Sequence, residues 1–151
     1  MSKVYPSQLP VDGYRAHFAT SRRRYAPLTV MDRQTLLRHL AWCEAALQPS
    51  SPFLGPVIRY KIETSLPSGE EPPADAVTGG CRVTYSIDGG QAQTGLVTQN
   101  ARIAVKDSGV IPVPSLLGAT LIGLRVGQCA PMLCEDGTVV RLKVLGVAHP
   151  A

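Results

Sequence analysis

The sequence predicts an α+β fold, in which a helical hairpin precedes a small antiparallel β-sheet with one short inserted helix. Apolar residues recur every three or four positions through residues 28–66, as they do along one face of a helix. Proline, glycine and acidic residues then replace that rhythm over residues 67–79, which we interpret as a linker. From residue 80 onward, apolar residues alternate with polar ones, as in strands that bury one face. The change of period therefore divides the chain into a helical part and a sheet part.

Four segments follow from these patterns: 1–27 as a flexible basic arm, 28–66 as a short helical hairpin, 67–79 as a linker and 80–151 as the sheet domain. The formal net charge is +4, and the arm dominates it with five basic side chains against one acidic one. Three adjacent arginines in the arm are a weak signal for contact with nucleic acid: Arg22, Arg23 and Arg24. A solvated tail is the plainer interpretation of the same charges.

The first helix is expected within residues 28–47, where Asp32 follows Thr29 at the spacing of a capping box. Four residues of this segment share one face of a helix: Leu36, Leu40, Cys43 and Leu47. Leu37 is expected to widen that apolar stripe.

The second helix is expected within residues 51–65, where Ser51 can cap the helix and Pro52 suits its first position. Gly55 and Pro56 weaken that start, so the regular part is alternatively expected to begin near Pro56. An apolar stripe recurs every four residues in this segment: Leu54, Ile58 and Ile62. The two helices should therefore pack antiparallel, like a short coiled coil.

The sheet domain is expected to contain short strands joined by tight turns. Val83, Tyr85 and Ile87 alternate with polar residues, and Asp88 followed by two glycines indicates a hairpin turn. Pro112 cannot donate a hydrogen bond to a neighbouring strand, so its strand is expected at an edge of the sheet. Further strands are expected at 91–97, 101–106, 109–113, 128–133 and 138–147.

No catalytic, metal or cofactor site is expected. The cysteines form no CxxC pair, and Cys129 and Cys134 have no histidine nearby, so free thiols in a reducing cytosol are the interpretation. The motifs of serine hydrolases, zinc proteases, P-loop proteins and dinucleotide-binding enzymes are absent from the sequence. We therefore expect a protein that acts by binding and is not an enzyme.

A cytoplasmic location is expected. No apolar run approaches the roughly 20 residues that a membrane-spanning helix needs. The first ten residues also lack the apolar stretch of a signal peptide.

Residues 114–128, PSLLGATLIGLRVGQ, stand out because Arg125 is their only charged side chain. Ser115 is placed to cap a short helix, and Gly123 to end it in a left-handed conformation. Gly127 suits a tight turn into the next strand.

The leucines of this segment divide between two expected faces. Leu117, Leu121 and Leu124 share one face and are expected in the core. Leu116 and Ile122 point away from that face and are expected to form an exposed apolar patch. Such a patch would be a surface for holding a partner.

The stretch IPVPSLLGATLIGLRVGQ, followed by EDGTVVRLKVLGV, resembles the C-terminal domain of the Gre/Rnk family of transcription factors. Six residues match the pattern of that family: Ser115, Leu117, Gly118, Leu121, Gly123 and Gly127. Ile122 is a conservative match, while Leu116, Thr120 and Gln128 replace its proline, alanine and aspartate. The resemblance covers residues 80–148, and extends to the hairpin by position and helical character.

This resemblance implies an FKBP-like domain that docks on RNA polymerase, at a coiled coil on the rim of the secondary channel. In the family, the helical hairpin points toward that channel, and acidic residues at its tip help to hold a catalytic magnesium ion. The tip here, residues 48–51, carries no acid, which implies a polymerase-binding regulator without transcript cleavage. The candidate docking residues are Ser115, Leu116, Leu117, Gly118, Leu121, Ile122, Gly123 and Gly127.

Two other functions stay open at this point. Leu116 and Gln128 depart from the family pattern, which favours a diverged interaction module with a different protein partner. A prolyl isomerase would need a pocket with aromatic lining, and Tyr85 is the aromatic residue of the expected sheet.

Overall fold

The computed structural model describes residues 25–45, 52–65, 72–99 and 109–150. Within these ranges, three helices and five strands follow one another: α1 (Val30–Glu44), α2 (Leu54–Thr64), β1 (Arg82–Ile87), β2 (Gln93–Thr98), β3 (Val110–Pro112), α3 (Leu116–Leu121), β4 (Cys129–Leu133) and β5 (Val139–Ala148). The five strands form one sheet in the order β3-β2-β1-β5-β4. The predicted α+β class, with a helical hairpin before a sheet that carries one short helix, is confirmed.

Helix α1 begins with the predicted cap at Thr29, but Asp32 has a different role from the one predicted. The hydroxyl of Thr29 accepts a hydrogen bond of 3.0 Å from the backbone N–H of Asp32. The Asp32 carboxylate does not complete a capping box; it is buried and accepts from the N–H of Gly79 and the side-chain amide of Gln99. These bonds join the start of α1 to the end of the β1–β2 ladder that lies opposite the turn.

One face of α1 packs as predicted, with one exception. Leu36 is fully buried, and Leu40 and Cys43 are half-buried at the edge of the core. Leu37 is 44% exposed, so the prediction that it widens the apolar stripe is wrong. It lies roughly 100° around the helix from Leu36, which faces the core. Leu47 lies outside the described residues.

Helix α2 starts at Leu54, with Phe53 as its N-cap. Pro52 therefore precedes the helix instead of occupying its first position, and Ser51 lies outside the described residues. Pro56 falls in the first turn, where its missing N–H removes no helical hydrogen bond. The helix accordingly begins before Pro56 and tolerates it.

The β1–β2 hairpin has the predicted turn, because Asp88 and Gly89 both adopt positive φ angles, 52° and 73°. Such angles match the twist of the flanking strands.

Pro112 lies on the edge strand β3, as predicted. β3 pairs parallel with β2, whereas an antiparallel sheet was expected. The connection between Thr98 and Val110 is much longer than a hairpin turn, which permits the chain to re-enter in the same direction. The strand expected at 101–106 lies outside the described residues.

The helices and the sheet share one core. The inner face of the sheet contributes mainly aliphatic side chains that are fully buried: Val83, Val97, Leu142 and Val144. The helices and the chain after α3 add Leu36, Ile58, Leu121 and Leu124. The hairpin is therefore packed against the sheet domain over its inner side.

Two short segments tie the hairpin to the loop after α3. Ala26, near the end of the segment expected to be an arm, is buried and donates to the carbonyl of Gly123 at 3.1 Å. Val77, in the expected linker, exchanges hydrogen bonds with the same loop: it donates to Leu124 and accepts from Gly123. The described ends of both segments therefore belong to the folded body.

A buried lysine completes this junction. Lys61 of α2 is fully buried, and its ammonium donates to the carbonyls of Thr120 at 2.9 Å and Ile122 at 2.6 Å. The same nitrogen lies 3.3 Å from the centre of the Tyr25 ring. Burial lowers the pKa of Lys61 well below its ordinary value.

The lowered pKa predicts how stability changes with pH. Above the folded-state pKa and below the ordinary value of 10.5, the unfolded chain binds more protons at Lys61 than the folded chain does. The free energy of unfolding should therefore rise with pH across that window. In urea titrations from about pH 7 to about pH 10, we expect the wild type to gain stability relative to Lys61→Met, which cannot titrate. Parallel pH profiles of the two proteins would contradict this role for Lys61.

Candidate docking site on the sheet domain

Ser115 holds the start of α3 against the edge strand. Its hydroxyl accepts from the N–H of Gly118 at 2.9 Å and donates to the carbonyl of Pro112 at 2.7 Å. The predicted cap is confirmed, and the same oxygen also fixes the turn between β3 and α3.

Gly118 lies where α3 approaches β3 most closely. A Cβ atom at this position would lie 1.9 Å from the carbonyl oxygen of Pro112 and 2.9 Å from that of Val113. Both obstacles are backbone atoms, which cannot rotate away as a side chain can. The match of Gly118 to the family pattern therefore has a steric cause in this fold.

Two further glycines shape the chain after α3 as predicted. Gly123 has a φ of 82° and follows the C-cap residue Ile122, and Gly127 has a φ of 86°. Between them, Leu124 folds back and donates to the carbonyl of Leu121 at 3.0 Å.

The expected exposed patch does not exist. Leu116 is 9% exposed and Ile122 is fully buried, so the prediction that they form an apolar surface is wrong. Leu117, expected in the core, is only half-buried at its edge. The reason is that α3 contacts α2 on one side and β3 and β4 on others, so more than one face of this short helix is covered.

The eight candidate docking residues therefore divide by burial. Five are buried: Leu116, Gly118, Leu121, Ile122 and Gly123. Ser115 and Leu117 are half-buried at the start of the helix, and Gly127 is exposed in the loop that follows it. The solvent-exposed part of residues 114–128 therefore lies at the two ends of this segment.

Residues around Gly127 that the sequence did not predict as part of the site form the rest of the exposed surface after α3. Val126 is 43% exposed, and Arg125 forms an exposed ion pair of 3.0 Å with Asp75. The side-chain oxygen of Gln128 accepts from the N–H of Arg125 at 3.0 Å. Gln128 therefore supplies an uncharged acceptor at this position.

The described chain offers no metal site in this region or elsewhere. Within residues 25–45, 52–65, 72–99 and 109–150, no three histidine, cysteine or acidic side chains are grouped to bind an ion. All four cysteines are free thiols. None of the helices in the described ranges is long and apolar enough to span a membrane.

Comparison with solved structures identifies the fold. A GreA/GreB transcription elongation factor from Nitrosomonas europaea superposes with a TM-score of 0.56 at 16% identity, over 84% of this chain and 99% of that one. Gfh1 of Thermus aquaticus gives a TM-score of 0.43 at 18% identity, over 85% of this chain and 100% of that one. Neither a comparison with models of protein families nor one with curated protein sequences finds a match. The superposition on the GreA/GreB factor confirms the resemblance at the level of the fold.

The close approach at Gly118 predicts a large loss of stability from one methyl group. Gly118→Ala should lower the free energy of unfolding by about 1–3 kcal/mol, because the added Cβ has to push α3 away from β3. Gly146→Ala is the matched control, since its Cβ would meet only Thr84, at an ordinary contact distance of 4.0 Å. Urea denaturation of both variants measures the difference. Equal losses at the two positions would show that the α3–β3 contact does not require glycine.

Proposed function

We propose that this protein is a cytoplasmic transcription regulator that binds RNA polymerase through its sheet domain, at the rim of the secondary channel. In this proposal it has no catalytic activity and does not promote transcript cleavage. The observation that carries it is the fold shared with a GreA/GreB elongation factor over 84% of this chain. The sequence of residues 114–128 supports it, because it resembles the domain by which the Gre/Rnk family is expected to dock.

The docking contact is assigned to the start of α3. Ser115 and Leu117 reach the surface there, on a segment that Gly118 holds tightly against β3. The buried candidates, such as Leu121 and Ile122, act by fixing the position of this segment. A rigid start to the helix limits the entropy lost when a partner binds.

The helical hairpin supports a role without cleavage. Helices α1 and α2 have 15 and 11 residues, so they extend for roughly 22 Å and 16 Å at 1.5 Å per residue. Glu44, the acidic residue nearest the tip, forms an exposed ion pair with Arg59 of the second helix. Residues 48–51 add no acid to it. The chain therefore lacks the paired carboxylates that would hold a magnesium ion at the tip.

A binding assay with immobilised core RNA polymerase tests the docking contact. We expect the full chain to be retained, and Leu117→Gln to weaken retention by about tenfold, since it places an amide in an apolar contact. Leu145→Gln is the matched control, because Leu145 is 41% exposed on β5, away from α3. Circular dichroism establishes that both variants are folded.

Two outcomes would contradict the proposal. Absence of retention of the wild-type chain would exclude polymerase as the partner. Equal retention of the folded Leu117→Gln and Leu145→Gln variants would exclude the start of α3 as the contact. Either result would favour the alternative, an interaction module with a different protein partner.

A further inference from the structure

The outer face of the sheet carries a cavity that the proposed docking contact does not use. It measures about 480 Å³ and lies across β1, β5 and β4, lined by Ser86, Asp88, Gly89, Cys129, Arg141 and Lys143. In the strand register, Lys143 stands opposite both Ser86 and Cys129, so these three form one row across the sheet. Alternation along β5 places Leu142 in the core and its neighbours on this outer face.

The cavity is flanked by two cations without a neutralising partner. Arg141 and Lys143 are exposed, and neither forms an ion pair with a carboxylate of the described residues. The one acid of the lining, Asp88, accepts a hydrogen bond of 2.8 Å from the backbone N–H of Arg141. The lining therefore has an excess of positive charge.

The hydroxyl of Ser86 completes the lining. Ser86 is only 6% exposed, and its hydroxyl makes no hydrogen bond to any residue that the structure describes. The Ser86 hydroxyl can therefore donate a hydrogen bond to a group that enters the cavity. Ser86 lines the cavity opposite Lys143, so a ligand bound there can contact both side chains.

We propose that this cavity binds a small phosphate-bearing molecule about the size of a mononucleotide. Arg141 and Lys143 would hold the phosphate oxygens, and Ser86 would donate to one of them. A guanidinium pairs with two phosphate oxygens at once, and an ammonium adds a point charge. The volume falls in the usual range of small-molecule sites, which favours a free ligand over the extended backbone of a nucleic acid.

Titration of the full chain with adenosine monophosphate and with inorganic phosphate, followed by amide NMR shifts, tests the proposal. We expect saturable shifts at Ser86, Gly89 and Lys143, with tighter binding of the nucleotide than of phosphate alone. Ser86→Ala and Lys143→Gln should each weaken binding by about tenfold, as expected for loss of a bond to a charged group. Arg82→Gln should not, because it removes an exposed cation of β1 that does not line the cavity.

A thermal melt separates binding from folding. Ser86→Ala removes a hydroxyl without a described partner, so its melting temperature in the absence of ligand should not fall. The proposal is overturned if neither ligand gives saturable shifts up to about 10 mM, where even a millimolar site is mostly filled. It is also overturned if Arg82→Gln weakens binding as much as Lys143→Gln, or if a short RNA shifts the same amides and the mononucleotide does not.

Discussion

The ammonium of Lys61, enclosed between two backbone carbonyls and an aromatic ring, is the contact on which the arrangement of this molecule depends. It joins α2 to the carbonyl end of α3, and Tyr25 covers it from a third side. No carboxylate pairs with it in the contacts of the described chain, so carbonyl dipoles and the π face of Tyr25 offset only part of the cost of burying the charge, and the pKa of Lys61 is lowered. The hairpin and the sheet domain therefore share this polar contact in addition to their common, mainly apolar core.

The same junction explains why residues 114–128 can serve as both core and surface. Gly123 and Leu124 bond to Ala26 and Val77, which locks the end of the segment to the rest of the fold. Its beginning is fixed by the hydrogen bonds of Ser115, while the half-buried side chain of Leu117 partly reaches solvent. In the proposed function, polymerase meets this rigid beginning. The outer face of the sheet stays available for the anionic ligand.

The sequence predicted the features that depend on neighbouring residues. The caps at Thr29 and Ser115 and the left-handed Gly123 require only a few adjacent positions, and all three are confirmed. The burial of Lys61 and the bonds of Asp32 to distant loops were not predicted, since they depend on how separate elements pack. The error at Leu116 has the same origin: a helical wheel assumes one covered face, whereas α3 is wedged between several elements. The candidate docking residues were identified by family likeness, and local pattern alone could not separate exposed members from buried ones.

The central claim, docking at the polymerase secondary channel without cleavage, is tested most directly by competition in backtracked elongation complexes. Purified chain is added to such complexes alone, and then in increasing amounts beside a cleavage-competent Gre factor. Docking without cleavage predicts no RNA release with the chain alone, and a progressive loss of the cleavage that the Gre factor promotes. Cleavage stimulated by the chain itself, or full Gre activity at saturating chain, would contradict it.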